Sequence, residues 1–161
     1  MSSLLPSITI LGVAALGALA LTRLRPASAE RVVEYAAASR SLAVATAMQA
    51  VHFVEEAATG FHQRLGDVFG VPDIPFPLFV TFNLLWIGIW VASVPGIRSR
   101  RAWAFFAAWF LAIAGMINGV AHPLLAIATG GYFPGLVSAP LVAAACVWLT
   151  VRLTKATRSA V

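Results

Sequence analysis

The chain alternates between long apolar runs and short polar segments. Five runs approach the roughly 20 residues that a helix needs to cross the hydrocarbon core of a bilayer. They cover residues 4–22, 41–59, 77–95, 103–123 and 136–153, and the fourth could continue to 129 with a kink at its proline. Only helices and closed barrels span lipid, and these runs lack the alternation of barrel strands. The pattern therefore predicts an all-α fold, a polytopic bundle of five transmembrane helices.

Composition supports this class of protein. Hydrophobic residues make up 60% of the 161-residue chain and charged residues 11%, against about 25% charged residues in soluble domains. The basic residues lie in short loops and tails, and no basic helix carries interleaved aromatic residues. We therefore expect the lipid bilayer as a partner and no nucleic acid. The one cysteine, Cys146, lies in an apolar run and is expected to pack as a buried thiol.

Lys and Arg residues alternate between successive polar segments. From the N-terminal to the C-terminal tail, the six segments carry 0, 4, 1, 3, 0 and 3 of them. By the positive-inside rule, this alternation fits five spans with the N-terminus outside and the C-terminus cytoplasmic. We expect an integral protein of a bacterial-type plasma membrane.

The first run is predicted to be a retained helix. Two arginines follow it and no basic residue precedes it, which is the opposite of the charge arrangement of a secretory signal. Residues 1–25 are therefore expected to form an N-terminal transmembrane helix, and residues 26–161 a four-helix membrane domain. In the first loop, Ser28 could cap a helix whose first turns carry Glu30, Arg31 and Glu34.

Costly polar residues interrupt two of the apolar runs. His52, Glu55 and Glu56 lie in the second run, and Asn118 and His122 lie near the end of the fourth. A charged side chain at the centre of a bilayer costs about 2.5–3.5 kcal/mol even on lenient insertion scales. Such residues usually face a protein interior, so we expect them to line a shared site.

The positions of these residues along their predicted helices place them at similar depths in the membrane. With a rise of about 1.5 Å per residue from the cytoplasmic helix starts, Glu56 and Asn118 both lie roughly 22 Å up, and His122 roughly 28 Å. Asn83 lies roughly 9 Å below the outer end of the third run on the same rise. These levels predict a polar pocket among the second, third and fourth spans, open towards the outer face, with Tyr132 at its mouth.

Three kinds of chemistry fit these residue types. His52, Glu56 and His122 could hold Zn²⁺ or Fe, which would require the histidine nitrogens to lie within about 4 Å of one another. The His-Glu pairs could instead perform acid–base catalysis, with His52, Glu55, Glu56 and His122 as candidates. Asn118, Tyr132 and Asn83 would then orient a substrate. A proton or ion relay, or hydrogen bonds that only hold helices together, are the remaining interpretations.

Three short motifs carry a family resemblance. His52-Phe53-Val54-Glu55-Glu56 is H-x-x-E-E, residues 118–122 are N-x-x-x-H, and residues 132–135 are Y-x-P-G. In this order, they resemble the HXXEE-motif membrane protein family over the second to fifth helices. The resemblance implies that the polar residues of the three motifs belong to one site. The family is functionally uncharacterised, so the resemblance implies no reaction.

The favoured functional hypothesis is an intramembrane enzyme that acts on a lipophilic small molecule, either with a divalent metal such as Zn or Fe or by acid–base catalysis. The first alternative is a small transporter or proton- or ion-conducting protein that uses the same groups. The second is a non-catalytic accessory subunit.

Overall fold

The computed structural model describes residues 5–27 and 32–157. Within these ranges, the chain forms six helices and no strand longer than an isolated bridge. The helices are α1 (Leu5–Leu24), α2 (Val32–Thr59), α3 (Phe61–Phe69), α4 (Phe76–Arg98), α5 (Ala102–Ala128) and α6 (Ala139–Ala156). The prediction of an all-α bundle is confirmed. The proposed cap at Ser28, with Glu30 and Arg31, lies outside the described residues.

Three of these helices, α4, α5 and α6, are long and apolar enough to cross a membrane. This finding indicates a membrane protein, as the composition predicts. α1 contributes a shorter apolar stretch, Ile8–Leu24, within the described side chains.

The core of the bundle surrounds α5. This helix packs against α1, α4 and α6, while α2 packs against α4 and α6. The first half of α5 is almost wholly buried, from Ala104 to Ala112. Trp90 of α4 donates a hydrogen bond from Nε1 to the carbonyl of Ala107, at 2.9 Å. Apolar side chains therefore dominate the part of the core that this half of α5 occupies.

Small residues allow α5 and α6 to approach closely. Gly115 and Gly119 form a G-x-x-x-G pattern on α5, and a Cβ at either would collide with α6, at Cys146 and Ala143 respectively. Transmembrane helices often pack through such small residues. The contact brings the start of α6 beside the second half of α5. Cys146 is fully buried, as predicted, and its thiol lies 3.4 Å from the carbonyl of Leu111.

The helix bounds differ from the predicted ones mainly at the start of α2 and in the segment before α4. α2 begins at Val32 instead of 41, so that the second half of the predicted first loop is helical. α5 continues through Pro123 to Ala128, as the sequence allowed. The segment predicted as an outer loop contains α3, which is bounded by Gly60 and Gly70, both with left-handed backbone conformations.

α3 is an amphipathic helix that packs at the end of the bundle opposite the α4–α5 connection. Phe61, Leu65 and Phe69 recur every four residues and therefore share one face. Leu65 is buried in a cluster with Phe53, Phe79 and Phe133, and Phe61 packs against it. This aromatic cluster separates the buried His52, Glu56 and His122 from the surface at that end of the bundle.

Candidate functional site

Three buried side chains converge between α2 and α5. Glu56 Oε1 lies 3.5 Å from His52 Nε2 and 3.4 Å from His122 Nε2. His52 is 0% exposed, Glu56 6% and His122 2%. His52 and Glu56 lie one helical turn apart on α2, and this spacing puts them on one face. The imidazole rings meet edge to face, with centroids 4.8 Å apart.

The hydrogen bond of His122 defines its tautomer. Its Nδ1 lies 2.6 Å from the carbonyl oxygen of Pro134. A carbonyl only accepts hydrogen bonds, so Nδ1 carries the proton and donates it. The lone pair of a neutral His122 is therefore on Nε2, which faces Glu56.

His52 is held in the same tautomer by a longer chain of hydrogen bonds. Its Nδ1 lies 2.8 Å from Ser138 Oγ, and the Ser138 hydroxyl donates to Glu55 Oε2. Because that hydroxyl proton is directed at a carboxylate, the hydroxyl oxygen accepts from His52 Nδ1–H. His52 Nε2 is buried, and no described residue hydrogen-bonds to it. Its lone pair also faces Glu56.

Glu55 holds the loop between α5 and α6. It accepts hydrogen bonds from the Tyr132 hydroxyl at 2.6 Å, the backbone N–H groups of Val137 at 3.1 Å and Ser138 at 2.8 Å, and the Ser138 hydroxyl. Partial burial and the hydrogen bond to Glu55 raise the pKa of Tyr132 above its usual value. Since neighbouring residues on a helix diverge by about 100°, Glu55 faces this loop while Glu56 faces the histidines.

Gly135 brings the loop against both imidazoles. A Cβ at this position would lie 2.6 Å from His122 Cε1 and 2.8 Å from His52 Cε1, and its φ of +88° disfavours other residues. The glycine of Y-x-P-G is therefore required by a close approach as well as by the turn.

The sequence analysis assigned no roles to Pro134, Gly135 and Ser138. The Pro-Gly turn was a visible signal, but nothing in the sequence marked Ser138.

A cavity of about 490 Å³ adjoins the histidine-glutamate cluster. Glu56 and His122 form part of its wall, and Gln49, Asn83 and Asn118 add amide groups. The other lining residues are apolar and come from α1, α3, α4, α5 and the loop before α4, namely Ile8, Ile10, Leu11, Phe61, Leu65, Phe69, Ile74, Leu78, Phe79, Phe82, Trp86, Trp90, Phe110, Ala114, Ile117, Ala121, Leu124 and Leu125.

The predicted orienting residues lie in different places. Asn118 and Asn83 line the cavity, and Asn83 Nδ2 also donates to the carbonyl of Phe79 at 2.9 Å. Tyr132 is 46% exposed and lies beside Glu55 at the surface. The structure thus brings Asn118 and Asn83 to the cavity, and leaves Tyr132 at the surface, away from it.

The cluster has the donor set of a transition-metal site. Bonds of about 2.0–2.1 Å to a tetrahedral ion imply ligand atoms about 3.3 Å apart, close to the 3.4 and 3.5 Å observed here. No two ligand atoms are more than 4.8 Å apart. This largest separation exceeds the about 4 Å that the sequence analysis set as the limit, and the imidazoles would have to approach one another by up to about 1.5 Å to reach the tetrahedral separation. The partners of both Nδ1 atoms orient the rings as metal-binding histidines require.

The family assignment is clear from sequence comparison. The family model described as "Protein of unknown function with HXXEE motif" matches residues 43–149, which is 149 − 43 + 1 = 107 of the 161 residues. The chain belongs to this family, and the resemblance carried by the three motifs is confirmed. No curated protein and no solved structure matches the chain.

Proposed function

We propose that the protein is a membrane-embedded, metal-dependent enzyme that acts on a lipophilic small molecule, with His52, Glu56 and His122 as the ligands of one Zn²⁺ or Fe ion. One observation carries this proposal. Two imidazole lone pairs and a carboxylate oxygen meet in a buried space, and all three are acceptors. Buried acceptors without a donor are costly, and a cation would satisfy all of them together.

A proton on Glu56 would be a poorer solution than a cation. It could serve only one of the two imidazoles. The separations of 3.4 and 3.5 Å are also longer than the roughly 2.5–3.0 Å of hydroxyl hydrogen bonds. A cation between the three atoms explains both the spacing and the tautomers.

The arrangement suits catalysis better than a purely structural metal site. Catalytic zinc sites commonly have three protein ligands and leave a position for water or substrate. Such an ion polarises a carbonyl or activates a water molecule. The cavity beside Glu56 and His122 would admit the substrate, and Asn83 and Asn118 would hydrogen-bond to its polar group. Glu55 and Tyr132 would act indirectly, by holding the loop that orients the histidines.

The proposed topology has five spans, α1, α2, α4, α5 and α6, with α3 at the outer surface. Contacts between basic segments support it. Arg25 donates from Nη2 to the carbonyl of Thr154 at 3.0 Å, and Arg98 donates from Nε to Ser39 Oγ at 3.2 Å. The segments assigned to the cytoplasm thus meet at one end of the bundle. We propose that this end lies on the cytoplasmic side of a bacterial-type plasma membrane.

The domain proposal treats residues 1–25 as an additional helix beside a four-span domain of residues 26–161. The family match begins at residue 43, after α1, which agrees with this division. α1 nevertheless packs on α5 and contributes Ile8, Ile10 and Leu11 to the cavity wall. We therefore expect the two parts to fold together.

Metal analysis of the full-length protein tests the proposal. The protein would be purified in detergent without chelators through a tag that lacks histidine, and its metal content measured by mass spectrometry. We expect about one equivalent of Zn or Fe in the wild type and a loss of at least tenfold in His52→Ala and His122→Ala. His62→Ala is the matched control, because His62 lies on α3 outside the cluster.

Metal-free protein would be challenged with Co²⁺, whose visible absorption reports the number and type of its ligands. A folded wild type that neither retains metal nor binds Co²⁺ would refute the metal site. If that metal-free protein also showed pH-dependent uptake in vesicles that depends on Glu56, the transporter hypothesis would replace the enzyme.

A further inference from the structure

The cavity is elongated along the helices. On α5 its wall runs from Leu125 to Phe110, and on α4 from Leu78 to Trp90. These stretches span fifteen and twelve residues, or about 22 and 18 Å at a rise of 1.5 Å per residue. α4 and α5 are antiparallel, and the stacked rings of Trp90 and Phe110, 6.3 Å apart, mark a common inner end. The cavity is therefore a slot about 18–22 Å long that runs parallel to the bundle axis.

The ionisable groups of this slot lie in its outer half. Glu56 and His122 are found there, and Asn118 lies one turn inward on α5. The inner half is lined mainly by the apolar side chains of Trp86, Trp90, Phe110 and Ala114, to which Gln49, two turns before Glu56 on α2, adds one amide. A ligand that matches this gradient carries its polar group at one end and a hydrocarbon chain at the other.

The sides of the slot face the bilayer. α1 and α4 both pack on α5, and each contributes residues to the slot that are also accessible from outside. Ile8 is 58% exposed, Leu78 45% and Phe82 41%. A hydrophobic molecule dissolved in the membrane could therefore pass between α1 and α4 without crossing water.

We infer that the slot binds a single-chain amphiphile, with its polar group beside His52, Glu56 and His122 and its hydrocarbon chain extended towards Trp90. The volume of about 490 Å³ lies in the lower part of the range for drug-sized ligands. It therefore suits one hydrocarbon chain better than a two-chain phospholipid. The inference rests on the proposed function for the reaction at the polar end, while binding of the chain depends only on the slot.

Shortening the slot tests the inference. Ala114 lies eight residues before His122 on α5, or about 12 Å further in. Ala114→Phe would block the inner end and leave the polar end open. Ala144→Phe is the matched control, since Ala144 is exposed on α6 and faces away from the slot. The probes would be saturated 1-monoacylglycerols with 8 to 18 carbons, added to protein in phosphatidylcholine nanodiscs and detected by native mass spectrometry.

We expect the wild type and Ala144→Phe to retain the 16-carbon probe at least tenfold better than the 8-carbon probe. Ala114→Phe should lose the 16-carbon probe at least tenfold and keep the 8-carbon one. Equal retention of the 16-carbon probe by Ala114→Phe and Ala144→Phe would overturn the inference.

A second measurement tests the same inference with the wild-type protein alone. A monoacylglycerol brominated near the end of its chain should quench wild-type tryptophan fluorescence in a saturable manner, because Trp86 and Trp90 line the inner end. Excess unbrominated 16-carbon probe should reverse the quenching. Quenching that never saturates would show mere partitioning into lipid and would contradict the slot.

The two proposals fail in different ways. If the wild type binds metal but selects no chain length, the slot inference is wrong and the metal site stands. If His52→Ala and the wild type are both metal-free yet select the 16-carbon probe, the slot stands and the metal site is wrong.

Discussion

Replacing Glu55 by Gln and replacing Glu56 by Gln should have opposite consequences, although the two residues are adjacent. Glu55 uses both carboxylate oxygens to accept hydrogen bonds from Tyr132, Val137 and Ser138. A glutamine has one acceptor oxygen and one amide nitrogen that only donates. Whichever way the amide is oriented, one backbone N–H and one hydroxyl of the loop face the amide nitrogen. The N–H loses its acceptor, and the hydroxyl loses its bond to a charged acceptor because it must turn to accept instead.

The magnitude follows from the charge of the acceptor. Hydrogen bonds to charged groups contribute about 1.5–3 kcal/mol each. Glu55 is partly exposed, so water replaces some of the loss, and we take half of the sum for two bonds, or about 1.5–3 kcal/mol. At about 2–4 °C per kcal/mol for a chain of this size, the melting temperature should fall by roughly 3–12 °C.

Glu56→Gln keeps nearly the same shape and removes no hydrogen bond of normal length, because its contacts with the histidines are 3.4 and 3.5 Å. We expect the melting temperature of the metal-free variant to stay within about 2 °C of the wild type, which corresponds to less than about 1 kcal/mol. The variant should lose metal at least tenfold, because it lacks a carboxylate ligand.

Both variants would be melted in detergent after treatment with a chelator, and metal content would be measured separately. Measuring stability without metal separates the loop from the site. The reasoning is refuted if Glu55→Gln melts like the wild type, or if Glu56→Gln loses more stability than Glu55→Gln.

Three further outcomes are expected. Gly135→Ala should lower the melting temperature by at least 5 °C and reduce the amount of bound metal. A non-glycine residue with a left-handed backbone and an overpacked side chain each cost about 1–3 kcal/mol at this position. Gly131→Ala is the control and should melt like the wild type, because nothing lies near a Cβ at residue 131. Gly119→Leu should reduce the yield of folded protein in size-exclusion chromatography by separating α5 from α6, whereas Gly88→Leu, which meets nothing nearby, should not. Glu56→Lys should place a cation beside the histidines and leave little protein in the membrane fraction, and normal expression and melting would contradict a buried site.

The helical architecture could be predicted because lipid imposes it locally. Each long apolar run must satisfy its own backbone hydrogen bonds, so that hydropathy alone indicates a helix. α5 shows this most clearly, since its run of alanine and aromatic residues becomes the core helix. α3 was missed for a related reason. A helix of nine residues is too short to span a membrane. Its apolar residues recur every four positions, but they lie between two glycines in a segment whose composition is typical of a loop.

The residues of the candidate site could also be found from sequence, because hydrophilic side chains are conspicuous in apolar surroundings. His52, Glu56 and His122 stand out in this way. Ser138 and the carbonyl of Pro134 do not, since a serine and a backbone oxygen near a helix end are unremarkable. They gain a role only when the loop before α6 is held over the histidines.

The sequence by itself thus determined the apolar helices, the family and the polar groups that had to avoid lipid. The tertiary structure alone decided that Glu56 joins the histidines while Glu55 anchors a loop. Helical geometry separates two adjacent side chains by about 100°, but the direction of each depends on which helix packs on which side. The close contact of α5 with α6 at Gly115 and Gly119 determines this packing. It brings Ser138 and Pro134 to the two imidazoles. Both Nε2 lone pairs are therefore directed towards Glu56.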